Sequence, residues 1–183
     1  MTQFTTDQQY NRIVGICREI FRKKSQDYGT SWRVYRTISV ADQIYIKAKR
    51  IRNIQEAGKQ KIADDMADEF KGIYNYALIG LIQTELPNEE MDELEVDTAL
   101  KYYDAQSERV KQLMEAKNHD YGEAWREMSQ ESFVDLILAK ILRIRQILQN
   151  DGRTLVSEGI ESNFSDIANY AVFALILMAH PDE

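Results

Sequence analysis

Cysteine is almost absent from this chain. One residue, Cys17, occurs among 183, so no internal disulfide can form, and a reducing cytoplasm is the setting that fits. Proline is nearly as rare: Pro87 and Pro181 each follow a long periodic stretch instead of interrupting one. With only eight glycines as well, helix breakers are few. A basic excess is missing too, since 23 Lys and Arg stand against 30 Asp and Glu for a formal net charge of −7. That excludes the overall phosphate-neutralising surplus on which a non-specific nucleic-acid binder depends. Long hydrophobic runs are also lacking. The most apolar stretch, Ile167–Ala179, is too short to span a bilayer, and no N-terminal stretch joins basic residues to an apolar run as a secretory signal does. No membrane partner is expected. Core material, by contrast, is plentiful: at 44% hydrophobic and 10% aromatic, a disordered chain is excluded.

The sequence repeats itself. Residues 24–33 read KSQDYGTSWR and residues 117–126 read KNHDYGEAWR, one skeleton at an offset of 93. The same offset relates Tyr10 to Tyr103, Lys47 to Lys140 and Arg50 to Arg143, and it becomes 94 by Phe70/Phe164 and Asn75/Asn169. One residue was therefore gained in the second copy. The predicted organisation is a first repeat over 1–84, an acidic linker over 85–95 and a second repeat over 96–183. The linker, ELPNEEMDELE, holds a proline and six carboxylates and reads as a solvated connection.

Within each copy the apolar period is helical. Tyr10, Ile13, Val14, Cys17, Ile20 and Phe21 mark a first helix over about Asp7–Lys24, and Tyr103, Val110, Leu113 and Met114 mark its counterpart over about Val96–Lys117. The glycine of each DYG suits a left-handed helix end. Ser39-x-x-Asp42 and Ser132-x-x-Asp135 read as caps opening a second helix, and Phe70–Leu81 and Phe164–Leu175 as the third. No strand pattern competes. The expected fold class is all-α: a helical bundle of two tandem three-helix repeats with internal pseudo-twofold symmetry, as if a homodimer had been fused.

Shared polar residues off the core stripe are the functional candidates. With Phe164 at zero and about 100° per residue, Asn169 falls near 140° and Asp166 near 200°, away from the apolar stripe. Glu158-x-x-Glu161 is a further i, i+3 carboxylate pair, and Asp65-x-x-Asp68 occupies roughly the same place in the first copy. Carboxylates so spaced can hold Mg²⁺ through oxygen, or simply favour a helix N-terminus. Lys140 and Arg143, like Lys47 and Arg50, border the core stripe and can bind phosphate or snorkel over apolar surface. Trp125 and Tyr121 can stack on a base or anchor a corner of the bundle, and Asp120 can cap a neighbouring helix or contact a ligand. Neither His119 nor His180 has zinc-like spacing. At two positions the copies differ: Gly72 stands where the second has Asp166, and Gln26 where it has His119. If Asp166 carries the chemistry, the second copy is the working half and the first its scaffold.

At KNHDYGEAWR, LAKILRIRQI and DIANYA the chain resembles the first type of nucleotide modification associated domain. That is a helical family of bacteria and phages linked by genomic company to nucleotide metabolism and modified bases. The resemblance covers nearly the whole chain, once per repeat, and implies a nucleotide as partner. More distantly, the chain resembles MazG-like all-α nucleoside triphosphate pyrophosphatases, whose E-x-x-E and E-x-x-D motifs hold Mg²⁺. Glu158-x-x-Glu161 fits the first motif, and Asp166-x-x-Asn169 fits the second loosely. By that likeness Glu158, Glu161 and Asp166 would hold Mg²⁺ and polarise water to split a (deoxy)nucleoside triphosphate into monophosphate and pyrophosphate. Lys117, Lys140 and Arg143 would neutralise phosphates, Tyr121 or Trp125 would stack on the base, and Asp120 and Asn169 would contact the ligand. The alternative is a non-catalytic helical module that binds a nucleotide or a protein. Self-association is open in either reading.

Overall fold

A computed structural model describes residues 4–58, 63–87, 89–151 and 159–179, with residues 63–65 described in backbone only. Six helices are described: α1 (Thr6–Tyr28), α2 (Thr37–Ala57), α3 (Ala63–Glu85), α4 (Val96–Tyr121), α5 (Gln130–Gln149) and α6 (Ile160–Met178). A 3-10 turn follows α1 at Ser31–Val34 and α4 at Ala124–Glu127. No strand occurs among the described residues.

Local chemistry sets the helix ends. Thr5 and Gln8 form a capping box at the start of α1. The helix runs one turn past its expected end, to Tyr28, because Gly29 at φ +71° and ψ −157° is the first residue to leave helical space. That conformation is open essentially to glycine alone, and a Cβ there would also lie 2.5 Å from Glu93 Oε1. In α4 the equivalent Gly122 takes the ordinary left-handed cap, φ +58° and ψ +37°. The expected caps at Ser39 and Ser132 are corrected. The cap of α5 is Ser129, whose hydroxyl accepts from the Ser132 N–H at 3.3 Å, while α2 begins at Arg36 without a side-chain cap. The serines of the S-x-x-D pairs lie inside the first turns instead.

Helices α3 and α6 pack most extensively and form the centre, with α2 against α3, α5 against α6, and α2 against α5. Helix α1 touches α6 as α4 touches α3, so the packing repeats when the halves are exchanged. The result is an all-α bundle of two tandem repeats with pseudo-twofold symmetry. Tyr10 and Tyr103 mark that symmetry chemically. The Tyr10 hydroxyl donates to Asn169 Oδ1 at 2.7 Å, and the Tyr103 hydroxyl donates to Asn75 Oδ1 at 2.7 Å. Each asparagine amide in turn donates to a helix carbonyl of its own half, Asn75 to Cys17 at 3.1 Å and Asn169 to Val110 at 3.2 Å. All four side chains are buried. Each half thus uses its own tyrosine to satisfy the other half's asparagine.

That network holds Asn169, the expected ligand contact, inside the core. The wheel placed it off the apolar stripe of one helix, but α6 is buried on more sides than that stripe, Asn169 included. The linker is also less free than its charge suggests. Thr30 Oγ1 accepts from the Leu94 N–H at 2.7 Å and donates to the Leu94 carbonyl at 3.2 Å, which ties the linker's end to the corner of the first half. No described helix is long and apolar enough to cross a membrane.

Candidate functional site

The end of α1, the turn after it, α2 and α3 enclose a cavity of about 480 Å³ in the first half, within the usual small-molecule range of ~300–1,000 Å³. Three lysines line it. Lys24 comes from the last turns of α1, Lys47 from α2 and Lys71 from α3, against one lining carboxylate among the described residues, Asp68. Lys71 and Asp68 sit 3.6 Å apart one turn along α3. Lys47 reaches Glu69 at 3.4 Å, a carboxylate it shares with Arg50 at 2.6 Å. Lys24 is exposed and makes no ion pair among the described residues.

The other walls are aromatic. Tyr28 stands on the rim, 75% exposed, one turn beyond Lys24, while Trp32 is buried beneath it. Tyr76 and Tyr35 face the same space. Burial, and then the neighbouring Tyr35, push the Tyr76 phenol above its ordinary pKa, so it remains a neutral hydrogen-bonding group at pH 7. Lys47 lies 5.8 Å from the Tyr76 ring centroid, at the edge of cation–π range.

In the matching corner of the second half the equivalent side chains pair with one another. Lys117 and Lys140, the counterparts of Lys24 and Lys47, both close on Asp166: Lys117 donates to Oδ1 at 2.7 Å and Lys140 lies 3.0 Å from Oδ2. Trp125 stacks flat on Phe173, centroids 4.3 Å apart and planes 5° apart, with the Arg126 guanidinium 4.4 Å from the indole. The first half has Ile79 where the second has Phe173, Lys71 where it has Ser165, and Gly72 where it has Asp166.

The expected site residues are therefore dispersed. Lys117, Lys140 and Asp166 do come together, but as a buried carboxylate between two ammonium groups. Glu161 is exposed and lines a separate depression with Glu85 and Arg109, sharing no partner with Asp166. Glu158 lies outside the described residues. Both Asp166 oxygens already face lysines, so a divalent cation there would have to displace two positive charges. Among the described residues no group of three His, Cys, Asp or Glu side chains is placed to hold a metal ion. Trp125, expected to stack on a base or anchor a corner of the bundle, stacks on Phe173 with Arg126 over its ring. Tyr121, 73% exposed, and Asp120, exposed beside His119 at 3.5 Å, project from the end of α4. Arg143 Nη1 donates to Gln146 on its own helix at 3.5 Å.

Sequence reasoning missed the first-half cavity and with it Lys24, Lys71, Tyr35 and Tyr76. The signal was visible in the Gly72/Asp166 difference. It reads as loss of a site only if the carboxylate is assumed to do chemistry. As a lysine's counter-ion, its absence means an opened one.

Comparison with known proteins agrees with the repeat. The family described as nucleotide modification associated domain 1 matches twice, over residues 24–84 and 117–178. Each match begins at the lysine of the repeated motif and ends near the close of α3 or α6. No curated protein and no solved structure matches the chain. With both copies matched over more than half of its length, the chain belongs to the nucleotide modification associated domain 1 family.

Proposed function

We propose that the protein is a nucleotide-binding member of its family and that the first-half cavity is the binding site. One observation carries this reading: three lysines and five aromatic side chains (Phe21, Tyr28, Trp32, Tyr35 and Tyr76) converge on one open cavity with a single lining carboxylate among the described residues. Lysine binds phosphate as a point charge, and an aromatic face stacks on any base at about 1–3 kcal/mol. The cavity therefore offers both halves of a nucleotide their chemical complement. The net negative charge of the chain does not oppose this, because the lysines act locally and over a distance shorter than a Debye length of ~8 Å.

The finer expectation, Mg²⁺-dependent release of pyrophosphate, would draw on Glu158, Glu161 and Asp166, none of which lines this cavity. Binding is the reading the cavity supports. It is tested by thermal melting and calorimetric titration with the four deoxynucleoside mono- and triphosphates, with and without Mg²⁺. A ligand held at 100 times its Kd adds ~2.7 kcal/mol, about 5–10 °C in Tm for a chain of this size. Lys24→Ala with Lys71→Ala should abolish the gain. If no nucleotide shifts the transition, or if the shift survives that double substitution, the reading fails. Pyrophosphate appearing in the Mg²⁺ arm would add hydrolysis to binding.

A further inference from the structure

The second half contains its own answer to what the first half binds. Lys117 and Lys140 close on the Asp166 carboxylate; their counterparts Lys24 and Lys47 line the first-half cavity around Gly72, which has no side chain to offer. A Cβ built on Gly72 would lie 2.9 Å from Lys47 Cε and 3.2 Å from Lys47 Nζ. The ammonium of Lys47 therefore leans into the volume that the Asp166 side chain fills in the other half. We infer that Asp166 is a built-in substitute for a ligand phosphate, and that in the first half the phosphoryl group of a nucleoside monophosphate sits beside Gly72 between Lys24 and Lys47. This rests on the reading of that cavity as the nucleotide site and adds where the phosphate goes, what charge it carries, and why only one half binds.

The electrostatics favour a phosphate monoester over a diester or a neutral nucleoside. In the second half one carboxylate, charge −1, meets two ammonium groups. The first half offers the same two without the carboxylate; its third lysine, Lys71 where the second half has Ser165, is paired with Asp68 at 3.6 Å, where the second half has Ser162. A monoester brings about −1.5 to −2 at pH 7 and three acceptor oxygens, which answers Lys24 and Lys47 together. Glu69 does not replace Asp166. It pairs with Lys47 and Arg50 and is not among the residues lining the cavity, while the equivalent position in the second half, Asn163, is uncharged. On the base side, Ile79 stands in place of Phe173, so the Trp32 indole has the tilted Phe21 ring at 6.0 Å where Trp125 has a flat stack at 4.3 Å.

The test exchanges the two residues. Gly72→Asp puts the second half's carboxylate into the first, and Gly72→Asn puts in the same volume without charge. The atoms nearest the Cβ that either adds belong to the flexible end of Lys47. Affinities for a deoxynucleoside monophosphate and for the matched nucleoside are measured by calorimetry. Wild type should prefer the monophosphate at least tenfold. Gly72→Asp should weaken monophosphate binding at least tenfold more than Gly72→Asn does, and leave nucleoside binding within about threefold of Gly72→Asn. In Gly72→Asp with Asp166→Ala, stabilisation by inorganic phosphate, absent from Gly72→Asp alone, should return through Lys117 and Lys140. Equal monophosphate affinity in Gly72→Asp and Gly72→Asn overturns the inference, even where nucleotide binding to the cavity stands. If Asp166→Ala does not fold, the Gly72→Asp and Gly72→Asn pair decides alone. A wild type that binds nucleoside and monophosphate equally sinks the phosphate assignment but not the cavity, whereas one that binds neither sinks both.

Discussion

Helix α3 carries Lys71, Gly72 and Ile79 where α6 carries Ser165, Asp166 and Phe173, and those three exchanges separate an open basic corner from a neutralised, stacked one. Elsewhere the halves match closely. Their helices pack the same way, their tyrosines and asparagines bond reciprocally, and each DYG glycine ends its helix at positive φ. Duplication therefore appears in two layers. What both halves need in order to fold is kept in both. What one half needs in order to bind is altered at a few positions in the other, and the alteration supplies internally the charge that a ligand would bring.

The largest expected effect concerns buried groups that the halves do not share equally. Tyr10 and Tyr103 are equivalents, but Tyr74 and Cys17 are matched by Ala168 and Val110, so two extra titrating groups are buried with the first half. Burial raises all four pKa values, that of Cys17 to about 12. The sign follows from linkage. Folding keeps these groups protonated, so their contribution is intact below the unfolded values of about 8.5 for Cys and 10 for Tyr. It is lost as pH rises from there through the folded values. Each group costs about 1.4 kcal/mol per pH unit in that window. Urea unfolding monitored from pH 8 to 11 should show stability falling by several kcal/mol, and Cys17→Ala with Tyr74→Phe should flatten the slope. An unchanged slope in that variant would show that the first half carries no additional alkaline liability.

The asparagine pair tests the shared layer. Asn75→Ala and Asn169→Ala each strand one buried tyrosine hydroxyl, a cost of about 2 kcal/mol, or roughly 4–8 °C in Tm. Because the bonds are reciprocal, the two losses should agree within about 0.5 kcal/mol by chemical denaturation. A loss confined to one variant would break the equivalence of the halves as scaffolds.

These residues also show what could be read from the chain and what could not. Repeats, helix count and architecture were legible because periodicity and a fixed offset are properties of the sequence alone. Both DYG glycines do end their helices, because a helix end is local, but the left-handed cap expected of both is taken by Gly122 and not by Gly29, whose ψ is −157°. The burial of the asparagines was not legible because a single-helix wheel assumes that what lies off one apolar stripe faces solvent, and α3 and α6 are packed on more than one side. Their partners, Tyr10 and Tyr103, lie across the symmetry relation, where no local pattern points. The cavity was hidden for a similar reason. Lys24, Lys47 and Lys71 sit on three different helices, and only the packed bundle shows that they converge. Asp166 was found, but its neighbours decide what it does, and those neighbours are lysines.

The smallest effect separates two residues that the sequence treats as identical. Tyr28 and Tyr121 occupy the same place in KSQDYGTSWR and KNHDYGEAWR and are almost equally exposed, 75% and 73%. Replacing either with alanine removes little packing, so stability should stay within about 0.5 kcal/mol for both. Their surroundings differ, since Tyr28 stands on the rim of the first-half cavity one turn beyond Lys24. If the tyrosine closes over a bound base, Tyr28→Ala should weaken nucleotide binding by about fivefold, the equivalent of one aromatic contact of ~1 kcal/mol, while Tyr121→Ala leaves it unchanged. Calorimetric titration of the two variants side by side makes the comparison at constant fold. Equal losses in both would place a second working corner beside Asp166, and no loss in either would confine recognition to the lysines and the aromatic side chains beneath the rim.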